Sequence, residues 1–371
     1  MLIPFALGAL SVGFLVGASS PTSGSPTTTT STSLTASSTT TATTPGSTSS
    51  TLPTSSTSST ITAQSNLIWP QSGSAAVIVP QLGVEAASPS QPVQPIASLT
   101  KMMTAWVVLH RLPLSGTATG PCEVVNQGDL NVYNGDIAMG ESVVRIVGGE
   151  RLCERTLLRG MLVHSAGDYA ELLAALTGMQ PTTFVAAMNQ SARAIGLRET
   201  HYADVTGISA GDTSTAKSQA LMASLLMTDE PVVEGIVDLS EVTLPDVGEV
   251  SSYTPYVGHG NVVGVKSGFT DAAGGCDVMA MNYRIGSAVF TTYAVVLGEH
   301  GDNPLGTAGL DALTLSHSIR PLIARVGSPS GPVVRWIGPV SDVVTTTTTS
   351  TTTSTTSTTS TTSTTLITAS R

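Results

Sequence analysis

The chain has 371 residues, with 15 Lys or Arg against 25 Asp or Glu and a formal net charge of -10. That acidic balance excludes a nucleic-acid-binding module, which needs a clustered basic face against phosphates, and a polybasic membrane-surface module. Hydrophobic residues reach 40% while charged residues make up only 11% and aromatics 4%. Such averages describe a mixture of a packed domain and neutral polar segments.

Taken in chain order, residues 1–18 (MLIPFALGALSVGFLVGA) form an apolar run followed by small residues, the pattern of the hydrophobic region of an export signal. No Lys or Arg precedes it, and its length sits at the lower limit for a bilayer span, so N-terminal membrane association is the alternative to cleavage. Residues 19–65 are nearly all Thr, Ser, Pro and Gly. They lack the apolar side chains that would offset the entropy of ordering, and the expectation is a disordered linker. A second tract, residues 344–371, is almost pure Thr and Ser. Both have the composition of the extended stalks of exported surface proteins. The remaining segment, residues 66–340, is long enough for one domain with a sizeable core.

Within it, Ala75–Val79 reads as a strand and Ser98–Leu109 as a helix with Leu99, Met102, Met103, Trp106 and Val107 inward. The segment between Cys122 and Cys153, rich in Gly, Val and polar residues, reads as strands and loops. Its two cysteines either pair or stay free, and Cys276, at the start of an apolar strand, is expected as a buried thiol. Arg155–Val163 and Tyr169–Leu176 are expected helices separated by the polar SAGD. Thr183–Ile195 and Thr215–Met227 have amphipathic patterns with Thr caps, the first closed by Gly196. The period then changes to two. Asn261–Thr270, Cys276–Arg284 and Ala288–Gly298 read as a strand and a hairpin about Gly286, and Asp311–Val326 returns to helix. Together these elements predict an α+β fold, a helical region packed against an antiparallel sheet and flanked by disordered Ser/Thr-rich tails.

Lysine usage narrows the search for chemistry. Of the 15 basic residues only Lys101, Lys217 and Lys266 are lysines. A desolvated lysine can surrender a proton at moderate pH, whereas guanidinium stays protonated. Lys217, between polar neighbours in a helical pattern, reads as a solvated residue. Lys101 follows Ser98 at the i+3 position, so one face carries an amine and a hydroxyl at a helix start, where free N–H groups favour a developing oxyanion. Lys266, Ser267 and Gly268 interrupt an apolar strand, where a lysine is costly unless it faces a cleft. Ser165, in HSAGD, lies in a polar turn between two helices. The six histidines show no metal-binding spacing, and no phosphate-binding loop motif occurs.

With ASLTKMMTA at Ala97–Ala105, HYADVTGIS at His201–Ser209, STAKSQALMA from Ser214 and GVKSGFTDAAGGC from Gly264, the chain resembles the low-molecular-mass penicillin-binding proteins, the serine-type D-alanyl-D-alanine carboxypeptidases. The resemblance implies a β-lactamase/transpeptidase-like domain and an acyl-enzyme hydrolase acting on peptidoglycan stem peptides that end in D-Ala-D-Ala. Ser98 is then the nucleophile, Lys101 the general base kept neutral by desolvation and neighbouring cations, and Ser165 a proton relay helped by Lys266. Lys266, Ser267, Gly268 and Phe269 are the implied substrate-binding strand, with the backbone N–H groups of Ser98 and Phe269 as the oxyanion hole. β-Lactams are implied covalent inhibitors, no metal or cofactor is required, and the expected location is extracytoplasmic, in a role in the cell wall and cell shape. One position departs: the family's second motif is Ser-x-Asn, and here Gly167 follows Ser165 and Ala166. Asp168 could substitute for that Asn or cap the helix that follows. The departure leaves open a weakened penicillin- or peptidoglycan-binding wall protein. A class A β-lactamase-related hydrolase is more distant still, because no Glu-containing loop is evident between Ser165 and Lys266.

Overall fold

A computed structural model describes residues 67–326. The expected export signal, both Ser/Thr-rich tracts and residues 327–340 lie outside the described residues.

Strand β1 (Ser74–Val79) is buried at every position. It turns into β2 (Val84–Ala87), and both join a five-stranded antiparallel sheet with three later strands, β9 (Val262–Thr270), β10 (Gly274–Ile285) and β11 (Ala288–Glu299), in the order β2-β1-β11-β10-β9. Period-two alternation divides the sheet between two cores. Ala75, Val77, Met279, Ala294 and Val296 face Ala308, Ala312, Leu315 and Ile319 of the C-terminal helix α8 (Pro304–Val326). Ala76, Ile78, Val278, Ala280, Val295 and Leu297 face the helical region. Both sides are covered, which is why these strands read as apolar runs. The β10–β11 turn has Gly286 at a φ of 61°.

The helical region begins with α1 (Lys101–Arg111), whose residues Lys101 to Leu109 are all buried. Two short strands follow, β4 (Cys122–Val124) and β5 (Arg151–Cys153), paired so that Cys122 lies opposite Cys153, and a disulfide joins them. The segment between them is not only strands and loops. It holds helix α2 (Gln127–Met139), started by a capping box in which Asn126 accepts from the N–H of Asp129 and Asp129 accepts from that of Asn126. This helix has no apolar period because Asp136 is its one buried residue, so a search for an inward stripe passes over it. Helices α3 (Glu154–Val163) and α4 (Gly167–Leu176) pack on α1, followed by α5 (Pro181–Ala194) and α6 (Ala216–Asp229). The Thr cap expected for α6 is present, Thr215 Oγ1 accepting from Ser218 N at 3.1 Å. That for α5 is not: the helix starts earlier, behind Gln180, with Pro181 in its first turn. Two short strands, β3 (Gln94–Pro95) and β6 (Thr213–Ser214), pair with each other, and a short helix, α7 (Pro231–Val237), and a hairpin of β7 (Glu241–Leu244) and β8 (Gly248–Ser251) complete the path to β9. Cys276 is buried and free.

Candidate active site

Ser98 does not lie in an α-helix, as the sequence pattern suggested, but in a 3-10 turn, Ala97–Thr100, that leads into α1. In a 3-10 turn residues i and i+3 eclipse. Lys101 Nζ therefore donates to Ser98 Oγ over 3.1 Å. Ala97, just before Ser98, has a φ of 48° without being glycine, a strained conformation that persists only where neighbours enforce it. Two glycines do so. Gly207, at φ 90°, packs against the Ala97 carbonyl so closely that a Cβ would overlap it, and a Cβ on Gly268 of β9 would stand 2.7 Å from Ser98 N. The close neighbour of Gly268 is thus the backbone of the turn that carries Ser98.

Lys101 is fully buried, and its Nζ has three acceptors: Ser98 Oγ, the carbonyl of Thr206 at 2.7 Å and Glu141 Oε1 at 3.2 Å. Asp204 shapes the loop that presents Thr206, its carboxylate accepting from the N–H groups of Thr206, Gly207 and Ser209. The sequence reading expected neighbouring cations to act on Lys101. The structure adds a carboxylate, Glu141, whose side chain is only 5% exposed.

Across the cleft, Ser165 sits in the middle of the α3–α4 connection with a φ of 63°. Its hydroxyl accepts from Lys266 Nζ at 2.9 Å, and the same Nζ donates to Ser267 O at 2.7 Å. Burial, and then the charge of Lys101, hold Lys266 well below the usual lysine range. Behind it on β10, burial pushes the Asp277 carboxyl well above the usual carboxylate range, against the pull of Lys266. Ser267 Oγ donates to Tyr253 O at 2.8 Å. To hold a carboxylate that hydroxyl must rotate, which leaves Lys266 as the charged contact. Phe269, next along β9, is 48% exposed at the mouth. The structure so brings Ser98, Lys101, Ser165, Lys266, Ser267, Gly268 and Phe269 to one cleft between the sheet edge and the helical region. His164 is not part of it: Nδ1 donates to Ser251 O at 2.9 Å and the ring packs on Tyr253.

At the second motif Asp168 turns away. Its Oδ1 accepts from Val144 N at 3.1 Å, and α4 begins behind Ala166 without a side-chain cap. Burial pushes its carboxyl up to about 7. The room beside Gly167 is instead taken by Glu141, since a Cβ built on Gly167 would overlap the Glu141 carboxylate. Three groups of the site escaped the sequence reading: Glu141, the Thr206 carbonyl and the Tyr253 carbonyl. Thr206 lies inside HYADVTGIS, so its neighbourhood was marked. Nothing in the sequence marks Glu141.

Comparison with known proteins follows the same lines. The family model for D-alanyl-D-alanine carboxypeptidase matches residues 56–300. The D-alanyl-D-alanine carboxypeptidase DacA of Escherichia coli K12 is 29% identical over 180 residues, 48% of this chain and 44% of its own length. The chain therefore spans less than half of that relative. Among solved structures, the Streptomyces K15 DD-transpeptidase aligns with a TM-score of 0.57 at 21% identity, over 68% of this chain and 98% of that one. Penicillin-binding protein D2 of Listeria monocytogenes in its ampicillin-bound form aligns at 0.55 and 23%, over 68% and 98%. At such identities these two establish the shared fold, a helical region on an antiparallel sheet. With the family match over most of the described residues and its motifs gathered in one cleft, the chain belongs to the D-alanyl-D-alanine carboxypeptidase family.

Proposed function

We propose that the chain is an exported serine-type D-Ala-D-Ala carboxypeptidase that trims the terminal D-alanine from peptidoglycan stem peptides through an ester on Ser98. The observation that carries this reading is the pair of lysine–serine contacts facing one another, Lys101 with Ser98 at 3.1 Å and Lys266 with Ser165 at 2.9 Å. Ser98 Oγ attacks the carbonyl carbon between the two D-alanines, and Lys101, acting as the base, accepts its proton. The oxyanion lies at the Ser98 N–H, which Gly268 keeps close to the end of β9. The leaving amine takes that same proton, returned from Lys101 through Ser165, whose hydroxyl is held by Lys266. A lysine held low by burial regains favour as an ammonium when the substrate carboxylate arrives. Water then cleaves the ester and restores Ser98. β-Lactams acylate the same hydroxyl and leave slowly. Extracytoplasmic placement, by cleavage of residues 1–18 or by their retention in a membrane, and a role in wall maturation and cell shape belong to the same proposal.

The test is incubation of the full chain with a fluorescent penicillin and, in parallel, with a peptide ending in Lys-D-Ala-D-Ala, locating the adduct by mass spectrometry and measuring released D-alanine. An adduct on Ser98 together with D-alanine release is the expected result, and Ser98→Ala removes both. An adduct without release would make the protein a penicillin-binding relative without turnover, and no adduct would refute the reading.

A further inference from the structure

Glu141 belongs to no motif, yet it touches the general base. It lies just after α2, in a segment stitched to the start of α4 by Gly167 N donating to Ser142 O at 2.8 Å and Val144 N to Asp168 at 3.1 Å. Its side chain is 5% exposed, Oε1 is 3.2 Å from Lys101 Nζ, and Oε2 is buried without any partner. Burying a carboxylate with one oxygen unsatisfied is unfavourable, so the fold does not place Glu141 there for its own stability. Among the described residues the only side chain it bonds is Lys101. Gly167 is the enabling residue. A Cβ at position 167 would overlap the carboxylate, so any side chain there and Glu141 exclude one another.

We propose that Glu141 is the positioning residue for Lys101, reaching from the α2–β5 connection into the space that glycine at position 167 leaves beside the nucleophile. The proposal rests on the reading of Ser98 and Lys101 as nucleophile and base. Glu141 acts in two ways. It aims Nζ at Ser98, together with the Thr206 carbonyl, and its negative charge favours the ammonium form of its partner. Other titratable groups surround the pair. Asp136 of α2 is pushed up to about 6, and Asp168 and Glu171 of α4 to about 7, each mainly by burial. Asp204 lies on the loop carrying Thr206, and Lys266 faces Lys101 from β9. These groups are common to every variant below, so a difference between wild type and a Glu141 variant isolates Glu141.

The experiment measures the rate of Ser98 acylation by a fluorescent penicillin between pH 5 and 10, with thermal melts as a folding control, in four variants of the full chain. Glu141→Ala is expected to acylate about 10²-fold more slowly than wild type, and Gly167→Asn at least about 10-fold more slowly, because the new side chain collides with the carboxylate. The double variant Glu141→Ala/Gly167→Asn is expected to recover to within about 10-fold of wild type, since an amide then fills the vacated space and reaches Lys101. Glu141→Gln keeps the shape and loses the charge. Its acid limb of acylation is expected to move to lower pH by on the order of one unit, a displacement that a merely structural role would not produce. Wild-type rates in Glu141→Ala, a double variant no better than its slower parent, or an unmoved acid limb in a folded Glu141→Gln would each overturn the proposal. Absence of acylation in wild type would overturn the reading of Ser98 and Lys101 and the proposal with it, a result distinct from those three.

Discussion

The two lysines of the cleft are both fully buried, and their surroundings differ in kind. Lys101 sits at the head of α1 with a carboxylate, a carbonyl and a hydroxyl as acceptors. Lys266 sits mid-strand with a hydroxyl and a carbonyl, and burial pushes the carboxyl behind it, Asp277, well above the usual carboxylate range. One charge is compensated locally and the other is not. In the proposed function the difference separates two jobs: a base that must be held in place before substrate arrives, and a cation whose compensation is the substrate's own carboxylate.

The largest expected effect comes from replacing each lysine by arginine. Lys101→Arg keeps the charge but cannot take the proton of Ser98, and acylation by penicillin should fall by about 10³-fold or more. Lys266→Arg keeps a cation for the carboxylate, and the loss should be nearer 10-fold, mostly in KM for the peptide. Equal losses in kcat would erase the distinction. Stability should separate the two sites in the opposite sense. Lys101→Met strands Glu141 as an unpaired buried carboxylate and should lower the unfolding free energy by about 3 kcal/mol. Lys266→Met removes a buried amine whose charged form is disfavoured, and should raise stability by roughly 1 kcal/mol at neutral pH. The sign follows from linkage. A lysine held low in the folded state binds fewer protons folded than unfolded, so wild type loses stability relative to Lys266→Met as pH falls from the usual lysine range towards the lowered value, and no further below it. Urea midpoints at pH 10 and 7 check this.

A smaller effect is expected at the point where the two sites meet. Gly268→Ala places a methyl 2.7 Å from Ser98 N, so β9 and the nucleophile turn must part by a few tenths of an ångström, and acylation should slow by about 10-fold while the fold is kept. Unchanged acylation would mean that the strand does not register the oxyanion site. The smallest effect is a pH trend of the whole domain. Asp168 and Glu171 near the cleft, and Glu154 away from it, are pushed up to about 7 by burial, and Asp212 to about 8. Acids raised in the folded state bind extra protons there, so their contribution is present below pH 4 and is lost as pH rises through 7 to 8. The urea midpoint should therefore decline from pH 5 to pH 8. A rise over that interval would show that these carboxyls are ionised and paired.

Legibility followed the length scale of each interaction. Ser98 with Lys101 and the run Lys266 to Phe269 could be recognised because their relation is set by local backbone geometry, one turn or one strand. The sheet strands were readable because burial on both faces makes them continuous apolar runs. Helix α2 was missed because its only buried residue is an aspartate, so the usual inward stripe does not exist. The pairing of Cys122 with Cys153 stayed undecided until β4 and β5 were seen in register.

The local order of residues was enough to mark Ser98, its lysine neighbour and the second lysine on an apolar strand as candidates, and to give the α+β class. It also exposed a gap, the glycine that follows Ser165 and Ala166 where the resembled family has asparagine. What fills that gap could not be read from the chain. Gly167 and Glu141 are joined only by the packing of the segment after α2 against the start of α4, a contact between separate elements whose geometry is fixed by the core beneath them. The same packing turned Asp168 towards Val144 and away from the cleft. Spacing along a helix or strand is a property of the backbone, whereas which carboxylate meets a buried lysine depends on how distant elements close around it.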